Sequence, residues 1–403
     1  MIKYYHRSIE SLLKKALGDF PVVVITGARQ TGKSTMLRNI LPGFRYIPLD
    51  DPIQRQIIKE DPRSVLSNQD KPLIIDEIQY APEILSYIKI AVDASRERKG
   101  HFVLTGSQHF NMMAGITESL AGRAAILTLP AFSVTEYQKD NLQDPETCFG
   151  TILTGFYPEP LIHGIDISLF YGSYLLTYLE RDVHQISEIS NINLFQTFIT
   201  LLAARSGSVI NINEIAKECG VAFNTAKKWL AILQASGIVY LLKPWFRNIP
   251  KRVIKSPKLY LTDTGLMSYI LKYQNSDILQ TGPLSGSFYE TFLLNEFLKF
   301  KYNYNAGFDI YFYRDSNGNE TDIILESGGR FFLFEIKATQ TIRLEHTRNL
   351  SRQLSLFPGS TGYILGFYEE EFKLNDNLIV TNWTNMFRIL RDNINPDLNS
   401  AIL

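Results

Sequence analysis

The sequence is poor in cysteine and lacks long apolar runs. Its two cysteines, Cys148 and Cys219, lie far apart without a repeated spacing, which excludes a disulfide framework and a cysteine-based zinc site. No uninterrupted apolar run reaches the length of a membrane span, and the first residues lack a charged segment followed by an apolar one. These absences predict a cytoplasmic protein with no membrane partner.

The chain also lacks net charge. Lysine plus arginine and aspartate plus glutamate number 41 each, so the whole chain is not a polycation and any contact with nucleic acid must be local. Hydrophobic residues make up 45% and charged residues 20% of the chain, which is typical of a globular protein. Because 403 residues exceed what one hydrophobic core usually supports, we expect two or three domains.

A phosphate-binding pattern lies in the first third of the chain. The β-branched run "FPVVVITG" is followed by a glycine-containing loop and then by a helical pattern. The loop satisfies GxxxxGK followed by Ser or Thr, in which backbone N–H groups surround a phosphate, the lysine reaches the β- and γ-phosphates, and the hydroxyl joins a Mg²⁺ shell. A glycine-rich turn without a ligand would not need this strand and helix around it. The predicted nucleotide-binding residues are Gly27, Ala28, Arg29, Gln30, Thr31, Gly32, Lys33, Ser34 and Thr35.

Polar residues accompany three later apolar runs. "KPLIID" ends in Asp76, which is predicted to hold Mg²⁺, and is followed by Glu77, which would orient or deprotonate the attacking water. In a P-loop NTPase we expect this strand beside the first one. "HFVLTG" is followed by Ser107 and Gln108, which would contact the γ-phosphate. Arg123 is either a finger that stabilises transition-state charge, in cis or from a second copy in a homo-oligomer, or half of a structural ion pair.

The middle of the chain has a helix-turn-helix pattern. In "INEIAKECGVAFNTAKKWLAIL" a glycine separates two helical segments, and Asn224 is expected to cap the second, whose apolar stripe is Ala226, Trp229, Leu230 and Leu233. The strand patterns "GIVYLL" and "KLYL" suggest a wing, and the stretch from Lys243 to Lys258 is basic. The alternative is a packing module with solvated lysines. The predicted contacts to DNA or RNA are Thr225, Lys227, Lys228, Lys251 and Arg252.

A hairpin near the carboxyl end carries charges inside an apolar pattern. If the Gly-Gly pair of "TDIILESGGRFFLFEIK" forms its loop, Asp322 lies opposite Glu335, and Lys337 shares their face. Opposed carboxylates destabilise a sheet, and a divalent cation, with Glu290 on a helix as a further ligand, would remove the conflict. Lys337 would then orient or deprotonate the hydrolytic water. The alternative is a register shifted by one residue, with the charges on an exposed sheet edge.

These motifs together resemble known families. The order "TGARQTGKST", "LIIDEIQ", "LTGSQ" and "SLAGR" resembles the AAA-type P-loop ATPases. With "YLERDV" and "KSPKLYLTDTGL", the chain resembles prokaryotic ATP-binding proteins that join such a core to a carboxy-terminal domain of unknown function. Glu290, Asp322 and the "EIK" triplet resemble the PD-(D/E)xK nuclease fold, in which the acids bind Mg²⁺ and the lysine assists the water.

The resemblances imply an α/β protein with several parts. We expect an AAA-type P-loop ATPase domain at 1–140, a helical lid or linker at 141–190, a winged-helix module at 191–262 and a restriction-endonuclease-like PD-(D/E)xK domain at 263–403. ATP and Mg²⁺ are the implied cofactors. The implied function is ATP hydrolysis coupled to nucleic acid through the other parts. The alternative is an ATP-dependent switch or transcription regulator whose nuclease-like domain is catalytically idle.

Overall fold

The computed structural model describes residues 4–67, 71–106, 115–116, 118–137, 140–178, 192–246, 255–394 and 396. The chain divides into two compact units. The first unit runs to Tyr137 and includes the short segments 235–237 and 302–305, and the second unit contains the remainder.

The first unit is built on a parallel sheet between helices. Its helices are α1 (Glu10–Asp19), α2 (Lys33–Ile40), α3 (Pro52–Glu60), α4 (Pro62–Ser67), α5 (Ile84–Ala94) and α6 (Val134–Tyr137). Its strands are β1 (Val22–Thr26), β2 (Arg45–Pro48), β3 (Leu73–Asp76), β4 (Phe102–Gly106) and β5 (Ala124–Thr128). Alternate residues of β1, β3 and β4 enter two buried apolar clusters, so these strands are covered on both faces.

The strand order in the first unit is β2-β3-β4-β1-β5, and all the pairs are parallel. The expectation that the strand ending in Asp76 lies beside the first strand is therefore wrong. Strand β4 lies between them because it pairs with β1 on one side and with β3 on the other. The carboxyl ends of β1, β3 and β4 still meet at one edge of the sheet, where ligands of open α/β sheets bind.

The second unit contains two further sheets. Its helices are α7 (Pro145–Thr154), α8 (Pro158–His163), α9 (Ile167–Tyr178), α10 (Ile192–Ala204), α11 (Ile212–Cys219), α12 (Phe223–Ala235), α13 (Thr264–Ile270), α14 (Ser276–Thr281), α15 (Ser285–Tyr304), α16 (Leu344–Leu354) and α17 (Met386–Ile394). Its strands are β6 (Ser208–Val209), β7 (Val239–Leu242), β8 (Lys258–Leu261), β9 (Asp309–Arg314), β10 (Glu320–Ser327), β11 (Arg330–Ile336), β12 (Thr361–Gly366), β13 (Phe372–Asn375) and β14 (Leu378–Asn382).

Helices α11 and α12 follow one another across the predicted glycine turn. Gly220, in the left-handed region at φ +71°, ends α11, and its N–H donates to the last turn of that helix. The small antiparallel sheet β6-β8-β7 accompanies the pair. The predicted cap is wrong, because α12 begins at Phe223 and Asn224 lies inside its first turn. The apolar stripe is confirmed at Ala226, Trp229 and Leu233, whereas Leu230 is only half-buried.

The large mixed sheet has the order β13-β14-β12-β11-β10-β9. Strands β10 and β11 pair antiparallel, from Ile323 opposite Phe334 to Ser327 opposite Arg330. The two glycines between them have φ of +56° and +78°, as a tight two-residue hairpin requires. Continuing this register by one pair puts Asp322 opposite Glu335, so the predicted register is confirmed and the shifted alternative is wrong. No helix of the described ranges is long and apolar enough to cross a bilayer.

Candidate functional site

The predicted phosphate-binding residues lie together between β1 and the first turn of α2. Gly27 has a φ of +149°, and a Cβ there would collide with the carbonyl oxygen of Leu129. Gln30 and Gly32 also have positive φ, at +59° and +91°. This backbone curls in front of the α2 amino terminus, where free N–H groups and the helix dipole favour an anion.

Lys33 is buried inside this loop. Its Nζ donates to the carbonyl oxygens of Gly27 at 3.0 Å and Ala28 at 2.8 Å. Burial lowers the pKa of Lys33, although the carboxylates of Glu77 and Asp76 oppose the shift. An ammonium held by neutral carbonyls gains more from a phosphate oxygen, because hydrogen bonds between charged partners are stronger. The side chain therefore lies inside the loop that is predicted to hold the phosphates.

Asp76 ends β3 and accepts hydrogen bonds from three hydroxyl groups. Ser34 Oγ donates to its Oδ2 at 2.7 Å, and the hydroxyls of Tyr46 and Thr105 also donate to it. Burial and the hydrogen bond to Asp76 raise the pKa of Tyr46 well above its usual value. Serine hydroxyl and carboxylate oxygens are hard ligands of the kind Mg²⁺ takes, so this donor set fits a nucleotide-bound Mg²⁺.

Glu77 directly follows Asp76 and has a left-handed backbone, with φ +58°. Its N–H donates to Thr105 Oγ1 at 3.0 Å, and its side chain accepts a hydrogen bond from the amide of Gln79. A non-glycine residue in this conformation is strained, and such strain concentrates at functional sites. Thr105 contacts both acids, yet sequence reasoning overlooked it and chose Ser107, which lies with Gln108 outside the described residues. The signal was a threonine just before the end of β4.

Arg123 precedes β5 and forms an ion pair in the structure. Its Nε and Nη2 donate to the two carboxylate oxygens of Asp93, on α5, at 2.7 and 2.9 Å. Of the two sequence alternatives, this geometry is that of the structural ion pair. The role of Arg123 as a finger stays a prediction.

Sequence reasoning also missed Arg7, a buried arginine before α1. Its guanidinium donates to the carbonyl oxygens of Thr31 and Pro130, both at 2.8 Å. It also pairs with Glu136, 3.2 Å away. Arg7 thus links the phosphate-binding loop, through Thr31, to the segment that contains Pro130 and Glu136. A single arginine without a motif carries no sequence signal for this role.

The predicted nucleic-acid residues of α12 lie on its outer side. Lys227 and Lys228 are exposed and Thr225 is half-buried, whereas Ala226 and Trp229 face the interior. Two further predicted contacts, Lys251 and Arg252, lie outside the described residues.

The three charged residues of the hairpin converge, as their register predicts. Asp322 is 8% and Glu335 5% exposed, which contradicts a solvated sheet edge. Lys337 Nζ lies 2.7 Å from Glu335 Oε1 and 3.9 Å from Asp322 Oδ2. Asp322 Oδ2 also accepts a hydrogen bond from the Ile336 N–H at 2.8 Å.

A second lysine, which sequence reasoning placed in the basic stretch, enters the same cluster. Lys258 on β8 is buried, and its Nζ lies 2.9 Å from Glu290 Oε1 and 3.8 Å from Asp322 Oδ1. It also pairs with Glu320. Tyr260 donates to Glu290 Oε1 at 2.5 Å. Lys258 is therefore unavailable to nucleic-acid phosphates, and the reason is a tertiary contact that a charge count cannot show.

Burial and mutual repulsion govern the ionisation of this cluster. Burial, with the charge of Asp322 adding to it, raises the pKa of Glu335 to about 8. Burial also raises the pKa of Glu290. Burial alone would lower the pKa of Lys258, but the facing carboxylates outweigh it and hold that pKa well above its usual value.

A divalent metal does not fit these residues as they stand. Among the described residues, no group of three or more His, Cys, Asp or Glu side chains is arranged to hold a metal ion. The charge conflict that led to the prediction of a metal at Glu290, Asp322 and Glu335 is relieved by Lys258 and Lys337 instead. The assisting role predicted for Lys337 stays a prediction.

The chain is similar to proteins of several kinds. Residues 19–138 match the AAA domain family, and residues 146–277 and 285–386 match two domains of unknown function, DUF8612 and DUF4143. The chain is 28% identical over 382 residues to the uncharacterized proteins Mb2031c of Mycobacterium bovis and Rv2008c of Mycobacterium tuberculosis, covering 93% of this chain and 82% of each relative.

Solved structures give weaker likenesses. A Walker-type ATPase of Pyrococcus abyssi is 16% identical, with a TM-score of 0.45, over 64% of this chain and 93% of that one. The RuvB Holliday junction branch migration motor of Thermotoga maritima is 16% identical, with a TM-score of 0.30, over 58% and 88%. The match to the AAA domain family covers the segment that contains Lys33, Ser34 and Asp76, and the hydrogen bond between Ser34 and Asp76 lies within it.

Proposed function

We propose that the protein is a Mg²⁺-dependent ATPase. The Ser34 Oγ to Asp76 Oδ2 hydrogen bond of 2.7 Å carries this proposal, because it brings together two motifs 42 positions apart in the chain. The loop and Lys33 hold the phosphates of ATP, while Ser34 and Asp76 provide oxygen ligands for its Mg²⁺. The Mg²⁺ held there would supply neutralisation of the charge that develops on the phosphates. Glu77, beside Asp76, orients or deprotonates the attacking water.

The test separates ATP binding from hydrolysis. Glu77→Gln removes the general base but keeps the side-chain shape, so we expect phosphate release to fall by about 10²-fold or more while a fluorescent ATP analogue still binds. Asp50→Asn is the matched control, because Asp50 is an exposed carboxylate just after β2 and its loss should leave turnover unchanged. Glu77→Gln turnover equal to that of the wild type would remove Glu77 from the mechanism.

We further propose that the second unit binds nucleic acid through a winged-helix module. The exposed Lys227 and Lys228 on α12, the second helix of a helix-turn-helix pair with a small antiparallel sheet, support this. In this proposal Thr225, Lys251 and Arg252 add further contacts to DNA or RNA. ATP hydrolysis would be coupled to this binding.

A second candidate function is an ATP-dependent switch with a catalytically idle nuclease-like domain. The paired ammonium groups of Lys258 and Lys337 in the carboxylate cluster favour it. We expect no nicking of supercoiled plasmid or labelled RNA with Mg²⁺ or Mn²⁺, with or without ATP. Cleavage by the wild type that is lost in Lys337→Ala would instead support an active nuclease-like domain.

A further inference from the structure

Lys258 joins two sheets of the second unit through one buried charge. The lysine begins β8 of the small antiparallel sheet, whereas the carboxylates around it come from helix α15 and from strand β10 of the large sheet. Its side chain is 1% exposed. Such a buried ammonium is stable only when opposite charges face it closely, and Glu290, Glu320 and Asp322 do so.

The ammonium lies between two of the acids that the sequence predicts as metal ligands. It is 2.9 Å from Glu290 Oε1 and 3.8 Å from Asp322 Oδ1, so it bridges the helix acid and the strand acid. Lys337 lies near the second oxygen of Asp322, Oδ2, and pairs with Oε1 of Glu335. The second oxygen of Glu335, Oε2, is buried without a hydrogen-bond partner.

We propose that Lys258 is the resident cation of this cluster, so that the wild-type cluster takes no Mg²⁺ or Mn²⁺, and that removing its ammonium opens a divalent-cation site at Glu290, Asp322 and Glu335. Without the ammonium, Glu290, Glu320 and Asp322 would lose the positive charge that faces them, which is costly for buried acids. A hard divalent cation with oxygen ligands relieves that repulsion. In the wild type, Lys258 and these acids form an internal ion-pair network that ties the small sheet to the large one.

The test measures Mn²⁺ binding by the loss of the free-ion electron paramagnetic resonance signal, without nucleotide. All proteins carry Asp76→Asn, which removes the acid of the amino-terminal Mg²⁺ site, so the outcome does not depend on ATP turnover. When Lys258 is present, we expect no Mn²⁺ at the cluster, so Asp322→Asn should leave the Mn²⁺ binding of the protein unchanged. Lys258→Met should bind one Mn²⁺ per chain, at least tenfold more tightly than any residual binding by the Lys258 protein, and adding Asp322→Asn should abolish that binding. Lys258→Arg keeps a cation and should behave like the Lys258 protein.

Two results would overturn the proposal. One is a Mn²⁺ site in the Lys258 protein that Asp322→Asn removes, and the other is a folded Lys258→Met protein that gains no Mn²⁺. Folding is checked by circular dichroism. If Lys258→Met does not fold, Mn²⁺ binding by the Lys258 protein with and without Asp322→Asn decides. Binding that is lost on Asp322→Asn would disprove the resident role of the lysine. Equal binding by the two proteins would support it.

Discussion

Gly27 occupies a backbone conformation that side chains do not tolerate. Its φ is +149°, and a Cβ would meet the carbonyl oxygen of Leu129. Gly27→Ala must therefore push the loop away from that carbonyl, and we expect a loss of stability of about 1–3 kcal/mol and at least tenfold weaker ATP binding. Urea unfolding and ATP titration measure the two effects.

Gly18→Ala is the matched control for this substitution. Gly18 lies in α1, and a Cβ there has no neighbour within 4 Å. Because alanine is the better helix former, this control should be neutral or slightly stabilising. A Gly27→Ala protein that binds ATP like the Gly18→Ala protein would contradict the tight fit of the loop.

At the residue scale, motif chemistry was predictable and tertiary partners were not. Ser34 and Asp76 were both predicted as ligands, because phosphate and Mg²⁺ chemistry restricts which residue types can serve. Tyr46 and Thr105, which also contact Asp76, belong to strands whose neighbours are known only after the sheet has formed. In the sequence, Lys258 belongs to a basic stretch typical of surface charge, because its contacts with α15 and β10 exist only in the folded chain.

At the element scale, local geometry decided which features of the fold could be predicted from the sequence. The Gly-Gly loop fixes the β10–β11 register, because a two-residue hairpin leaves no freedom in pairing. The order of the parallel strands has no such local marker. Strands β1, β3 and β4 are all short buried apolar runs, so their sequences do not say that β4 lies between the others.

Helix α12 offers a prediction about nucleic-acid binding. Replacing Lys227 and Lys228 together with alanine removes two exposed positive charges from its outer side. If both contact phosphates, affinity for duplex DNA should fall, and the slope of log affinity against log salt should decrease in magnitude by about 1.8, since each phosphate contact contributes about 0.9. Fluorescence anisotropy at several salt concentrations measures both quantities.

The charge-matched control is Lys14→Ala with Lys15→Ala, two exposed lysines on α1. Both double variants lose the same net charge, so a general electrostatic effect would weaken them equally. An equal loss in the two proteins would assign the binding to net charge and remove α12 as the contact surface.

At the scale of the whole molecule, a region that matches the AAA domain family is followed by regions that match domains of unknown function. The physical account assigns ATP chemistry to the first unit, where backbone N–H groups, a buried lysine and a Mg²⁺-type oxygen pair converge. The second unit carries two exposed lysines on α12 and a buried carboxylate cluster paired with Lys258 and Lys337. We therefore propose an ATP-hydrolysing first unit and a nucleic-acid-binding second unit.

The measurement that tests this account most directly is phosphate release from ATP by the wild type, Lys33→Ala and Lys14→Ala, with and without Mg²⁺. Lys33 is the buried ammonium of the loop, whereas Lys14 is exposed on α1. We predict release by the wild type and by Lys14→Ala only when Mg²⁺ is present, and none above background by Lys33→Ala. Wild-type turnover in a folded Lys33→Ala protein would contradict the assignment of the ATP site.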